Sequence, residues 1–118
     1  VVTRDMVRSM APDPAIFALA NPDPEILPDE ARKAGARIIA TGRSDFPNQI
    51  NNLLAFPGIF RGVMESRARK ITLKMKTQAS RAIASMIPEK DLSYDRFIPN
   101  ATDKKIAMMV CHAVKKSI

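Results

Sequence analysis

Cysteine and histidine occur once each in the 118 residues, as Cys111 and His112, and glycine occurs four times. A single cysteine excludes an intrachain disulfide and any cysteine-built zinc site. It also fits a reducing compartment. A transition metal wants three or four such ligands, and adjacent helix residues point about 100° apart, so Cys111 and His112 make neither a ligand pair nor a dyad. On a last helix whose core face is Ile106, Val110 and Ala113, both lie on the flanks and read as structural. The four glycines spell neither G-x-G-x-x-G nor G-x-x-x-x-G-K-[ST], so this stretch encodes no phosphate cradle. No run of about 18 apolar residues is present, and nothing here is expected to span a membrane. The first residues lack the basic-then-apolar layout of a signal peptide. They begin Val1-Val2 rather than with Met, so a start further upstream is expected. Aromatic residues are few, five Phe and one Tyr.

What is present suits one small domain, or a piece of a larger one. Apolar residues make up 46%, enough for a real core. The net charge of +7 is unevenly spread: residues 1–65 carry −1 and residues 66–118 carry +8. Such asymmetry raises the question of an anionic partner. The other reading is that an acidic remainder of a longer chain balances it. The basic residues Arg67, Lys70, Lys74 and Arg81 could grip phosphates, but no aromatics are interleaved with them, and a solvated helix face is the ordinary reading.

The pattern along the chain predicts a short helix over 4–11, ended by Pro12 and Pro14. Residues 15–20, AIFALA, and 36–40, ARIIA, read as strands buried on both faces of a parallel sheet. Between them Pro28, Asp29 and Glu30 open a short helix and Gly35 closes it. Strand, helix, strand is the crossover that parallel pairing requires. Asn21 and Thr41 then stand at one carboxyl edge, where ligands bind in open α/β sheets. Pro57-Gly58 reads as a break, with a helix over 59–68 in which Gly62 is a close-packing point. A second helix is predicted over 71–87, with Ile71, Met75, Ala79, Ala82, Ile83 and Met86 on its apolar face. Residues 89–101 read as a loop, and Thr102 as the cap of a last helix with Asp103 in its first turn and Lys115 and Lys116 in its last. Two domains are expected, 1–65 and a C-terminal helical segment 66–118.

The polar stretch 41–52, TGRSDFPNQINN, is dense in side-chain amides. Amides offer donors and acceptors without charge and suit a small ligand bearing a carboxylate, hydroxyl or carboxamide. Composition alone equally allows a tight loop held by Asx turns. Tyr94 could be a general acid, but it sits among charges with no evident base, and packing is its simpler role.

Two segments, FALANPDPEI (residues 17–26) and TGRSDFPNQINNLLAFPGIFRG (residues 41–62), resemble the bacterial-type malic enzymes. The resemblance implies an α/β fold: the C-terminal part of a Rossmann-like NAD(P)-binding domain, a doubly wound parallel sheet, followed by C-terminal helices. It implies a part of a cytoplasmic, NAD(P)-dependent enzyme that oxidatively decarboxylates malate to pyruvate and CO2 with Mg2+ or Mn2+. Asn21 and Asn51 match the family's substrate-contacting asparagines, and Asn52 the one beside the cofactor. No catalytic residue and no metal ligand is matched: neither Tyr94 nor Asp45 fits the family's motifs. The expected partners are malate and pyruvate, the remainder of the parent enzyme and further copies in a homo-oligomer, with no nucleic acid and no membrane. The alternatives are another NAD(P)-dependent 2-hydroxy acid dehydrogenase or a basic nucleic-acid-binding module.

Overall fold

Residues 1–118 are described by a computed structural model, and they divide into two units. One unit comprises residues 1–50 and 92–97; the other comprises 51–91 and 98–118.

The first unit opens with α1 (Arg4–Arg8), whose N-terminus is capped by Thr3 Oγ1 accepting from the Met6 amide at 3.2 Å. Strand β1 (Ala15–Ala18) runs parallel to β2 (Ile38–Thr41), with Ala15 opposite Ile38 and Ala18 opposite Thr41. The crossover between them holds α2 (Pro28–Lys33), which starts on proline, carries Asp29 and Glu30 in its first turn and Arg32 and Lys33 in its last. Gly35 follows at φ +104°, the left-handed geometry that ends a helix most cheaply at glycine. Val7, Ala18, Ile26, Ala31, Ala34, Ala36 and Ile39 form the core.

The parallel pair matches the sequence reading, but its limits differ. The Ala36 amide donates to the Ala31 carbonyl at 3.0 Å, closing α2, so it is spent before β2 begins. Nor is β1 buried on both faces. Phe17 is 57% exposed and only Ala18 is fully enclosed. The sheet has two strands, and a continuous apolar run is buried twice over only when layers cover both faces.

The second unit is helical. A 3-10 turn (Asn52–Leu54) leads into α3 (Phe56–Glu65), then α4 (Leu73–Ser85), a 3-10 turn (Glu89–Asp91) and α5 (Lys105–Lys116). Its core is Leu54, Ile59, Met75, Ala79, Ile106, Val110 and Val114. The helix α4 keeps the expected apolar face, with Met75 and Ala79 buried and Ala82, Ile83 and Met86 packed beside them. Thr72 caps it, accepting from the Met75 amide at 3.2 Å, so Ile71 falls outside. Arg67 and Lys70 also precede it, and the four expected basic residues are therefore not one helix face.

Three further expectations are corrected. Pro57-Gly58 is no break but lies in the first turn of α3, where proline's missing N–H costs nothing. Thr102 does not cap α5; its amide and hydroxyl both turn back to Asn100 Oδ1, and Asp103 Oδ1 instead accepts from the Lys105 amide at 2.9 Å. Cys111 is buried within α5's inner face rather than flanking it, while His112 is exposed. The expectation for Gly62 holds, since α3 crosses α5 on two glycines. A β-carbon at Gly62 would stand 2.9 Å from Val114 Cβ, and one at Gly58 only 2.5 Å from Val110 Cβ.

Glu65 ties the ends of these two helices. It accepts from Lys115 Nζ and from Arg61 Nε, each at 2.8 Å. The two cations, Lys115 foremost, hold its carboxyl down at about 2 from an ordinary 4.5. A carboxyl whose pKa falls on folding stabilises fully above its unfolded value, and that contribution disappears as pH drops from there toward the folded value. Between roughly pH 4.5 and 2, then, part of the acid sensitivity should belong to Glu65. The pair is exposed and the effect small. In urea titrations of the full-length protein, Glu65→Gln should flatten the fall of the midpoint over this range; an unchanged slope removes Glu65 from the acid response.

Candidate functional site

The site lies at the carboxyl edge of the β1–β2 pair. Because Ala18 pairs with Thr41, the chain leaves both strands at one level. Thr41 is fully buried, and its Oγ1 accepts from the Arg43 amide at 3.2 Å. The Thr41 carbonyl accepts from the Ile50 amide at 2.8 Å, and the Gln49 side chain donates to the Gly42 carbonyl at 3.2 Å. These bonds close residues 41–50 into a loop pinned at its base. Within it Arg43 grips Asp45 with two bonds of 2.8 and 2.6 Å and lies over the Phe46 ring. The guanidinium holds the Asp45 carboxyl below the usual carboxylate range.

Asn21 joins this loop at Gly42. A β-carbon at Gly42 would come within 3.4 Å of Asn21 Nδ2, so backbone and amide share one small space. Asn21 begins a cis peptide to Pro22. The open cleft here, about 520 Å3, is lined by Asn21, Pro22, Gly42, Arg43, Ser44, Asp45 and Gln49. The polar groups beside Asn21 are already committed: Glu25 accepts from the Ala20 amide, and its own backbone amide foremost, with that bond, keeps its carboxyl below its ordinary range. The Asn21 carboxamide itself makes no hydrogen bond within the chain, and both its donor and its acceptor stay open to a ligand.

Asn51 and Asn52 belong to the helical unit. Asn51 is its first residue, with its Oδ1 accepting from the Leu53 amide at 3.0 Å to cap the 3-10 turn. That bond occupies the oxygen and leaves the Nδ2 donors. Asn52 follows, exposed, as the first residue of the turn.

Asn48 has another role. At φ +57° it occupies the left-handed region, which asparagine tolerates better than most residues. Its Nδ2 donates to the Asp95 carbonyl at 3.0 Å and its Oδ1 accepts from the Phe97 amide at 2.9 Å. It thus fastens the 92–97 segment to the site loop, a link across almost fifty residues. The same segment brings Tyr94 under the Arg37 guanidinium, 3.9 Å from the ring centroid. Asn48→Ala should destabilise the full-length protein by about 2 kcal/mol, two hydrogen bonds at roughly 1 kcal/mol each. Asn48→Gly, which suits the left-handed backbone, should lose less. Denaturant melts that rank Gly below Ala, or show no loss in either, contradict this role.

No three His, Cys, Asp or Glu side chains are placed to hold a metal ion. The residues present do not make a metal site, and no helix is long and apolar enough to cross a membrane.

Comparison with known proteins adds the following. Residues 1–118 match the family model described as malic enzyme, NAD binding domain. The bifunctional malic/malolactic enzyme of Bacillus subtilis is 57% identical over 116 residues, covering 98% of this chain and 28% of the relative. The NAD-dependent malic enzyme of Geobacillus stearothermophilus is 51% identical over 92% of this chain and 22% of its own length. The crystal structure of malic enzyme from Pyrococcus horikoshii superposes with a TM-score of 0.93 at 50% identity, over 98% of this chain and 26% of that one. The chain thus spans between a fifth and a third of the length of these relatives.

Proposed function

The chain belongs to the malic enzyme family, and from that premise we propose that it is the C-terminal part of an NAD(P)-dependent, decarboxylating malate oxidoreductase. The observation that carries this reading is the open Asn21 carboxamide beside Gly42, at the carboxyl edge of a parallel strand pair. In the whole enzyme, malate and NAD(P)+ become pyruvate, CO2 and NAD(P)H. The cofactor supplies a hydride acceptor for C2 of malate, and Mg2+ or Mn2+, held by residues outside this chain, supplies a Lewis acid.

What this chain contributes is orientation. Asn21 and Asn51 donate amide hydrogens to the substrate and fix C2 toward the nicotinamide, and Asn52 lies against the cofactor. Neutral amides do this without adding a charge beside the metal, and holding reactants in register is itself a large part of catalysis. Residues 1–65 serve as the end of the cofactor domain with its substrate-facing loops, and 66–118 as the terminal helical segment. The parent enzyme acts in the cytoplasm as a homo-oligomer, without a nucleic-acid or membrane partner.

The experiment is an absorbance assay with malate, NAD+ or NADP+ and Mg2+ or Mn2+, run on the full-length enzyme and on these 118 residues alone. The full-length enzyme should yield NAD(P)H and pyruvate in equal amounts, and the 118 residues neither. Oxaloacetate as the end product would point to a simple dehydrogenase; turnover by the isolated chain would contradict the division of the machinery.

A further inference from the structure

A second polar groove runs between α4 and α5, wholly within the helical unit. It is open to solvent, measures about 540 Å3 and is lined by Lys74, Arg81, His112 and Lys116, with Gln78 and Ser85 among the remainder. That volume is within the usual range for small-ligand sites. Its cations come from both walls. Lys74 and Arg81 are two helical turns apart on α4, about 10 Å along the axis, and His112 and Lys116 are one turn apart on α5. No carboxylate lines it, and neither Lys74, Arg81 nor Lys116 takes part in an ion pair.

The groove on the other flank of α5 makes the contrast. There Arg61 and Lys115 both bond the Glu65 carboxylate, and Lys105 lines the same groove. One unit therefore shows two basic grooves, one holding a carboxylate and one without. Lys74 adds to this, because it sits in the first turn of α4, where the helix dipole disfavours a cation, and no acidic residue accompanies it. Three unpaired positive charges around one groove repel one another until an anion enters.

We propose that this groove binds a small polyanion carrying adjacent phosphoryl groups. Cations on both walls, two of them two turns apart along α4, suit linked phosphoryl groups better than a single anion. Arg81 offers the forked donor geometry that phosphate oxygens match, and the lysines act as point charges. The lining holds no aromatic ring on which a base could stack, which disfavours single-stranded nucleic acid as the occupant.

The test is calorimetric titration of full-length enzyme with inorganic pyrophosphate in Mg2+-free, low-salt buffer, with saturating NAD+ present. One saturable site per chain is expected. Arg81→Gln and Lys116→Gln should each weaken it about 10-fold or more, the worth of a charge-assisted hydrogen bond. Both are exposed helix positions, and unchanged melting temperatures and malate kinetics should show that each variant is folded. ADP should bind at the same residues if the source is a nucleotide, and only pyrophosphate if it is the free anion. Added salt should weaken binding by screening. No saturable binding, binding indifferent to both substitutions, competition by NAD+, or tighter binding of citrate or of an oligonucleotide would each overturn the assignment.

Discussion

Asn21→Ala in the full-length enzyme is expected to lower kcat/KM for malate by about 10- to 150-fold with little change in melting temperature. An amide that donates to a carboxylate makes a charge-assisted bond worth roughly 1.5–3 kcal/mol, at 1.4 kcal/mol per factor of ten. Stability should hold because the Asn21 side chain is exposed and makes no bond within the chain. Asn51 must be treated differently. Its oxygen caps the 3-10 turn, so Asn51→Ala removes a cap, about 0.5–2 kcal/mol, as well as the proposed contact to malate. Asn51→Asp keeps the capping oxygen and replaces the donor with a charge. The aspartate variant should therefore retain its melting temperature and lose activity, whereas the alanine variant should lose some of both. Wild-type kinetics in Asn21→Ala and Asn51→Asp together would remove these residues from the site.

Gly58→Ala should destabilise the protein by about 1 kcal/mol, although alanine is the better helix former. The new β-carbon meets Val110 Cβ at 2.5 Å, its Cγ1 at 2.7 Å and the Ala107 carbonyl oxygen at 2.8 Å. Two of these atoms belong to a stiff β-branched side chain and one to backbone, so none can swing aside. Relief requires α3 to move off α5, and overpacking of this kind costs about 1–3 kcal/mol. The helix-propensity gain of about 1 kcal/mol opposes it. Gly62→Ala, with contacts of 2.9 to 3.0 Å, should come much nearer to balance. Thermal melts should rank wild type above Gly62→Ala and Gly62→Ala above Gly58→Ala. A Gly58→Ala protein as stable as wild type would show that the two helices are free to separate.

The parts of this fold legible in the sequence are those set by local chemistry. The alternation of apolar runs with a proline-led, glycine-ended helix was enough for the parallel pair and for placing Asn21 and Thr41 at one edge. Boundaries were less legible, because they depend on where single backbone bonds go. Ala36 carries strand-like chemistry but spends its amide on α2. Pro57-Gly58 has the composition of a break, yet both residues suit the start of α3, and Gly58 is glycine because Val110 leaves no room. The site divides in the same way. The amide-rich stretch 41–52 is visible as chemistry, but nothing local separates the open Asn21 from Asn51, which caps a turn, or from Asn48, which holds Asp95 and Phe97. Bonds across almost fifty residues leave no periodicity to read.

The measurement that bears most directly on the site is a crystal structure of the full-length enzyme with NAD(P)+, a divalent metal and hydroxymalonate, an unreactive dicarboxylate analogue of malate. The Nδ2 atoms of Asn21 and Asn51 should lie about 3 Å from the ligand's oxygens, within hydrogen-bond range. A dicarboxylate bound out of reach of both asparagines would contradict it.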